Sequence, residues 1–180
     1  MNPIVHGELS WLMSQKLPAR RDRLLVMAAG LAPDLDGLSL LGGVESYGRW
    51  HHLIMHGFIA ALGVTAVCAA LGRRRVAVGL LSLAAFHLHI VCDLAGSGAD
   101  WPVFYLHPFS ERAFSWSGGW ELASWQNSLI GMAATAACLA CALWFRRTIV
   151  EVFSQAADAK VVAALRERLL GESKDTAAPQ

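Results

Sequence analysis

Three long apolar stretches constrain this chain more than any other feature. A hydrocarbon core of about 30 Å takes roughly 20 helical residues to cross. The first stretch runs from Leu53 to Leu71, with His56 its only acidic or basic residue. The second runs from Val76 to Ala95 and carries His87, His89 and Asp93. The third, Ser128 to Phe145, has no acidic or basic residue. A weaker candidate, Leu24 to Leu41, is interrupted by Pro33-Asp34-Leu35-Asp36-Gly37, and Ile4 to Leu17 reads as a shorter helix. Only 16% of the 180 residues are charged, against roughly a quarter in a soluble domain. The pattern predicts an all-α, polytopic membrane bundle of about four to five helices. Its one obligatory partner is the lipid bilayer.

The connections set an orientation. Lys16, Arg20, Arg21 and Arg23 precede the weak span, Arg73 to Arg75 form the turn after Leu71, and Arg146 and Arg147 follow Phe145. Loops rich in Lys and Arg stay cytoplasmic, and all three clusters satisfy that rule in one threading of the chain. The threading sends the histidines to the other side. His6, His51, His52, His56, His89 and His107 reach the outer face, with Asp34, Asp36 and Asp93. Acids and bases inside a span cost roughly 2.5–3.5 kcal/mol each on insertion scales, so they need partners or a function.

A divalent cation offsets that cost, because it binds carboxylate and imidazole together. His89 and Asp93 stand one helical turn apart, as do His52 and His56 if that segment is helical. Asp34 and Asp36 flank one leucine after a proline, where irregular backbone can aim both carboxylates inward. The blander reading is a capped Pro-Asp-Leu-Asp-Gly turn. His87 lies about 200° around its helix from His89, which removes it from a shared site. The expected ligands are Asp34, Asp36, His56, His89 and Asp93, with His6 and His51 next. The mixed His and Asp set fits zinc, with manganese or iron as alternatives.

Other features exclude or refine. A net charge of +1 gives no basic field for nucleic acid. Cys68, Cys92, Cys138 and Cys141 all lie in apolar blocks, where a thiol packs as a small hydrophobe. The N-terminus lacks the pattern of a cleaved signal peptide. The loop from Gly96 to Asn127 holds Trp101, Phe104, Tyr105, Phe109, Phe114, Trp116, Trp120 and Trp125, a composition suited to the headgroup zone. Ile149 to Leu170 reads as a cytoplasmic amphipathic helix and 171–180 as a disordered tail, leaving 1–147 as the membrane-embedded domain.

The ordered elements resemble the membrane-bound, metal-dependent hydrolases of the YdjM type. They are His6, Pro33-Asp34-Leu35-Asp36, the run from His51 to His56, His89 with Asp93, and Pro108-Phe109-Ser110, covering roughly residues 1 to 115. The resemblance implies a multi-helix inner-membrane protein with a metal-dependent hydrolase site. The family's central element usually reads H-R-G-x-T-H-S, whereas this chain has His51-His52-Leu53-Ile54-Met55-His56-Gly57. The family pattern pairs His51 with His56 and helical spacing pairs His52 with His56, so both stay candidates. His51, His52 and His107 are the candidate catalytic histidines, His107 as an extra ligand or an acid near the leaving group. The expected activity is hydrolysis of a phosphoester, on an amphiphilic or lipid-linked substrate, by a metal-activated water. The alternatives are a non-enzymatic protein with a structural metal, and a metal or proton transporter. The third apolar stretch lacks the polar path that transport needs.

Overall fold

The computed structural model describes residues 1–172, whose regular secondary structure is helical, with turns and loops between the helices and one isolated antiparallel bridge between Val103 and Phe114. Of the expected tail, 173–180 lies outside the described residues. Gly171 ends the last helix at φ 68° and Glu172 pairs with Arg166. The chain divides into two compact units, Met1–Gly131 and Met132 onward.

In the first unit, α1 (Pro3–Met13) starts where the Asn2 side chain accepts the Val5 N–H at 3.0 Å. Next, α2 (Arg20–Leu31) runs directly into a 3-10 stretch, Ala32–Gly42. Together they make an apolar segment of 23 residues, one of three candidate membrane spans with α5 (Arg75–Gly96) and α6 (Trp125–Trp144). Pro33 tightens this span without ending it. Between them come α3 (Val44–Trp50) and α4 (Phe58–Leu71).

The expected crossing from Leu53 is shortened. Helix α4 has 14 residues, about 21 Å of helix, because residues 51–57 are not helical. The cause is local. Both Asp36 carboxylate oxygens accept the Met55 N–H at 2.9 Å, taking a donor that a continuous helix would use internally.

Helix α5 packs against α2 and α4. Val26, Ala29, Val78 and Ala85 are buried at their junction, and Ala32, Ala61, Phe86, Ile90 and Val103 form a second cluster. At one end of α2, buried Asp22 accepts the backbone N–H groups of Arg73 and Arg74 at 2.8 and 3.2 Å, closing the turn between α4 and α5. Arginines thus gather at this end of the unit, while His89 and Asp93 lie at the far end of α5. Near that far end α1 and α2 touch through glycine. A Cβ on Gly30 would stand 1.8 Å from Ser10 Oγ.

In the second unit a 3-10 turn, Ile149–Val152, precedes α7 (Gln155–Leu170), whose N-terminus Ser154 caps. The buried stripe of α7 is Asp158, Val162 and Arg166. It is more polar than an amphipathic apolar face. Asp158 accepts from the Thr148 backbone and hydroxyl at 2.8 and 2.6 Å, and Arg166 donates to the Ala142 carbonyl at 3.1 Å. All four cysteines are free thiols, and Cys68, Cys138 and Cys141 are buried.

The Gly30 contact yields a prediction. Gly30→Ala overpacks the α1–α2 junction and should cost about 1–3 kcal/mol. Thermal unfolding in detergent should show it as a lowered midpoint. Ser10→Ala removes the hydrogen bond from Ser10 Oγ to the His6 carbonyl but adds no bulk, so it should leave the midpoint closer to the original.

Candidate metal centre

Asp93 sits near the C-terminal end of α5 with its carboxylate buried at the meeting of four imidazoles. His89 Nε2 lies 2.9 Å from Oδ2, His56 Nε2 3.4 Å and His52 Nε2 3.6 Å, while His6 Nε2 lies 3.1 Å from Oδ1. None of these five residues is more than 3% exposed, so the cluster is shut off from bulk water. The Met1 amino group also donates to Oδ1, and Ser97 Oγ donates to it at 3.2 Å.

The other ring nitrogens fix the chemistry. His89 Nδ1 donates to the Gly30 carbonyl at 2.7 Å, His56 Nδ1 faces Asp36 Oδ2 at 3.1 Å, and His52 Nδ1 faces the Trp101 carbonyl at 3.3 Å. A neutral imidazole has one N–H and one lone pair. With Nδ1 donating to a backbone carbonyl in His52 and His89, the Nε2 of each neutral ring presents a lone pair toward a carboxylate that is itself only an acceptor, while His56 lies between the carboxylates of Asp36 and Asp93. Acceptors facing acceptors in a buried site call for a cation between them. Second-sphere acceptors behind the ring are the usual support of a metal-bound histidine.

Unpartnered polar atoms point the same way. His89 Nε2, for all its closeness to Asp93, lacks hydrogen-bond alignment, and His6 Nδ1, Asp34 Oδ2 and His51 Nδ1 are buried without a hydrogen bond. Buried polar atoms of this kind are rare without an ion or water to satisfy them. The residues fit a divalent cation. Burial pushes His51 down to about 4 and His52 down to about 3, with nearby His56 adding to both. Burial also lowers His6, against its contact with Asp93. These rings are neutral at neutral pH, with lone pairs free for a metal.

The sequence candidates take distinct places. Asp34, 21% exposed at its side chain, reaches His89 Nε2 at 3.8 Å. Asp36 holds the Met55 N–H and stands behind His56, touching the cluster through that ring. Of the two alternatives in the central element, His52 faces Asp93. His51 stacks on Tyr47 at 4.4 Å and lies tilted against the His52 ring at 4.2 Å, half-buried at the rim. His52 and His56 come together across a turn, His52 at φ 65°. That left-handed conformation is costly for a non-glycine residue and collects at functional sites.

His87 turns away, with Nδ1 on the Leu83 carbonyl and Nε2 on Tyr105 Oη at 2.7 Å. Among the described residues no hydrogen bond, ion pair or ring contact joins the His107 side chain to the cluster. Gly30, Trp101 and Tyr47, which orient the rings through backbone or stacking, carry no sequence signal of a metal site. The aromatic loop closes over the turn. Phe104 N–H donates to the His52 carbonyl at 3.1 Å and Phe58 N–H to the Tyr105 carbonyl at 2.9 Å.

The YdjM inner membrane protein family matches residues 4–158. The chain belongs to that family. With three candidate spans, this YdjM family member is a multi-pass protein of the inner membrane. No curated protein and no solved structure matches it.

The geometry separates two roles that a ligand list would merge. Asp93→Ala should abolish tight metal binding. Asp36→Asn should weaken it by about 10–100-fold, the usual cost of losing a second-sphere partner. Chelator competition on detergent-purified protein measures both. Equal losses would contradict the separate placement of the two carboxylates.

Proposed function

We propose that this protein is a membrane-embedded, metal-dependent hydrolase of phosphoesters, acting on an amphiphilic or lipid-linked substrate at the outer leaflet. The observation that carries this reading is the ring of imidazole Nε2 atoms around Asp93, with each supporting Nδ1 acceptor on the far side of its ring. His6, His52, His56, His89, Asp93 and Asp34 would hold the metal, zinc by donor type, with manganese or iron also suited. When bound, it would lower the pKa of a water and polarise a phosphoryl oxygen.

The chain's own groups supply the rest. Asp36, Gly30 and Trp101 hold three imidazoles in one tautomer and orientation. The loop through Trp101 to Tyr105 covers the turn that carries His52 and limits water to the rim. Hydrolysis adds water across the P–O bond and ends with a proton on the departing oxygen. His51 is the histidine of the cluster that is half-buried, and as a neutral ring it would take the proton from the attacking water and pass it to the departing oxygen. Trp101, Phe109, Trp116 and Trp125 are exposed around this loop, a surface suited to headgroups and acyl chains. The Lys and Arg distribution supports a site on the periplasmic side.

Two measurements test the reading. Purified protein should turn over a phosphomonoester, phosphodiester or phospholipid panel in a metal-dependent way, and Asp93→Ala should abolish it. Metal bound without turnover on any of them would favour a structural metal. Reporter fusions after Arg75 and at Gly98 should report the cytoplasm and the periplasm respectively. The reverse result would move the site to the cytoplasmic face.

A further inference from the structure

The donors around Asp93 fall into two sets. His6, His89 and Asp93 form one buried set, and His52, His56 and Asp93 form another, the donor atoms of each lying within 4.8 Å of one another. Within the first set the His6 and His89 rings stack at 3.7 Å. Within the second the His52 and His56 rings lie 4.3 Å apart. Asp93 is common to both, with Oδ1 toward His6 and Oδ2 shared between His89 of the first set and His52 and His56 of the second.

We propose that the centre is dinuclear, with the Asp93 carboxylate bridging a first cation held by His6, His89 and Asp34 and a second held by His52 and His56. This deepens the hydrolase reading and rests on it. Asp34 joins the first set because its Oδ1 faces His89 Nε2 at 3.8 Å and its Oδ2 is buried without a hydrogen bond. The second set has no further carboxylate among its donors, since Asp36 is engaged by the Met55 N–H and by the Nδ1 side of His56. It therefore keeps more room for water or substrate oxygen, and it is the set beside half-buried His51.

Charge suits a pair when the substrate is an anion. The carboxylates of Asp34, Asp36 and Asp93 meet the Met1 ammonium, so one divalent ion brings the cluster to neutrality, and a second leaves it positive toward a phosphoester. Paired metals about 3.5–4 Å apart clamp the attacking and leaving oxygens of such a substrate, a spacing that one bridging carboxylate spans.

The test is metal stoichiometry with electron paramagnetic resonance on the full chain in detergent, loaded with manganese. Wild type should bind two manganese ions per chain and give an exchange-coupled spectrum. His6→Ala and His52→Asn should each keep one ion and give an uncoupled spectrum. Asparagine tolerates the left-handed backbone at position 52, and the retained ion shows in each case that the fold survives. One uncoupled ion per wild-type chain would overturn the dinuclear proposal while leaving a metal-dependent hydrolase standing. No bound metal at all would overturn the hydrolase reading with it.

Discussion

A buried carboxylate ringed by four imidazoles is the constraint on which this fold depends. Asp93 lies near the end of α5, and four histidines, from α1, from the turn over 51–57 and from α5 itself, bring Nε2 to it. Burying ionised and polar groups costs several kcal/mol each unless they are paired. The surrounding structure is arranged to keep the rings in place all the same. Gly30 admits α1 to close contact with α2 and lends its carbonyl to His89, so one residue sets both the helix approach and the ring tautomer.

The same demand explains why the membrane segments are uneven. Helix α4 gives up its first turn so that residues 51–57 can fold over the cluster, and Asp36 takes the Met55 N–H that the lost turn would have used. The 3-10 stretch after α2 keeps its length across Pro33 while placing Asp34 toward His89 and Asp36 behind His56. Irregular backbone at membrane depth is tolerated where it is buried in protein or lines a cavity. Here it lines the site.

Much of this was legible in the sequence, for physical reasons that differ by element. His89 and Asp93 lie on a regular helix, where spacing of four residues fixes a shared face, and the structure brings them to 2.9 Å. The displacement of His87 follows from the same periodicity. The placement of His52 beside His56 was legible only as a pair, because helical spacing assumed a helix where a left-handed turn stands. The rear position of Asp36, the orienting carbonyls of Gly30 and Trp101, and the short α4 were not legible. Each depends on tertiary contacts between segments distant in sequence, such as Phe104 with His52. The polar stripe of α7 was hidden for a related reason, since Asp158 and Arg166 are satisfied by backbone groups outside the helix.

The central claim is that imidazole Nε2 atoms and carboxylates, not thiols, hold a metal. X-ray absorption at the zinc edge of the zinc-loaded full chain tests it most directly. The account predicts a first shell of nitrogen and oxygen at about 2.0–2.1 Å, with the outer-shell scattering of several imidazoles. A sulfur shell near 2.3 Å, or a spectrum without imidazole scattering, would contradict it.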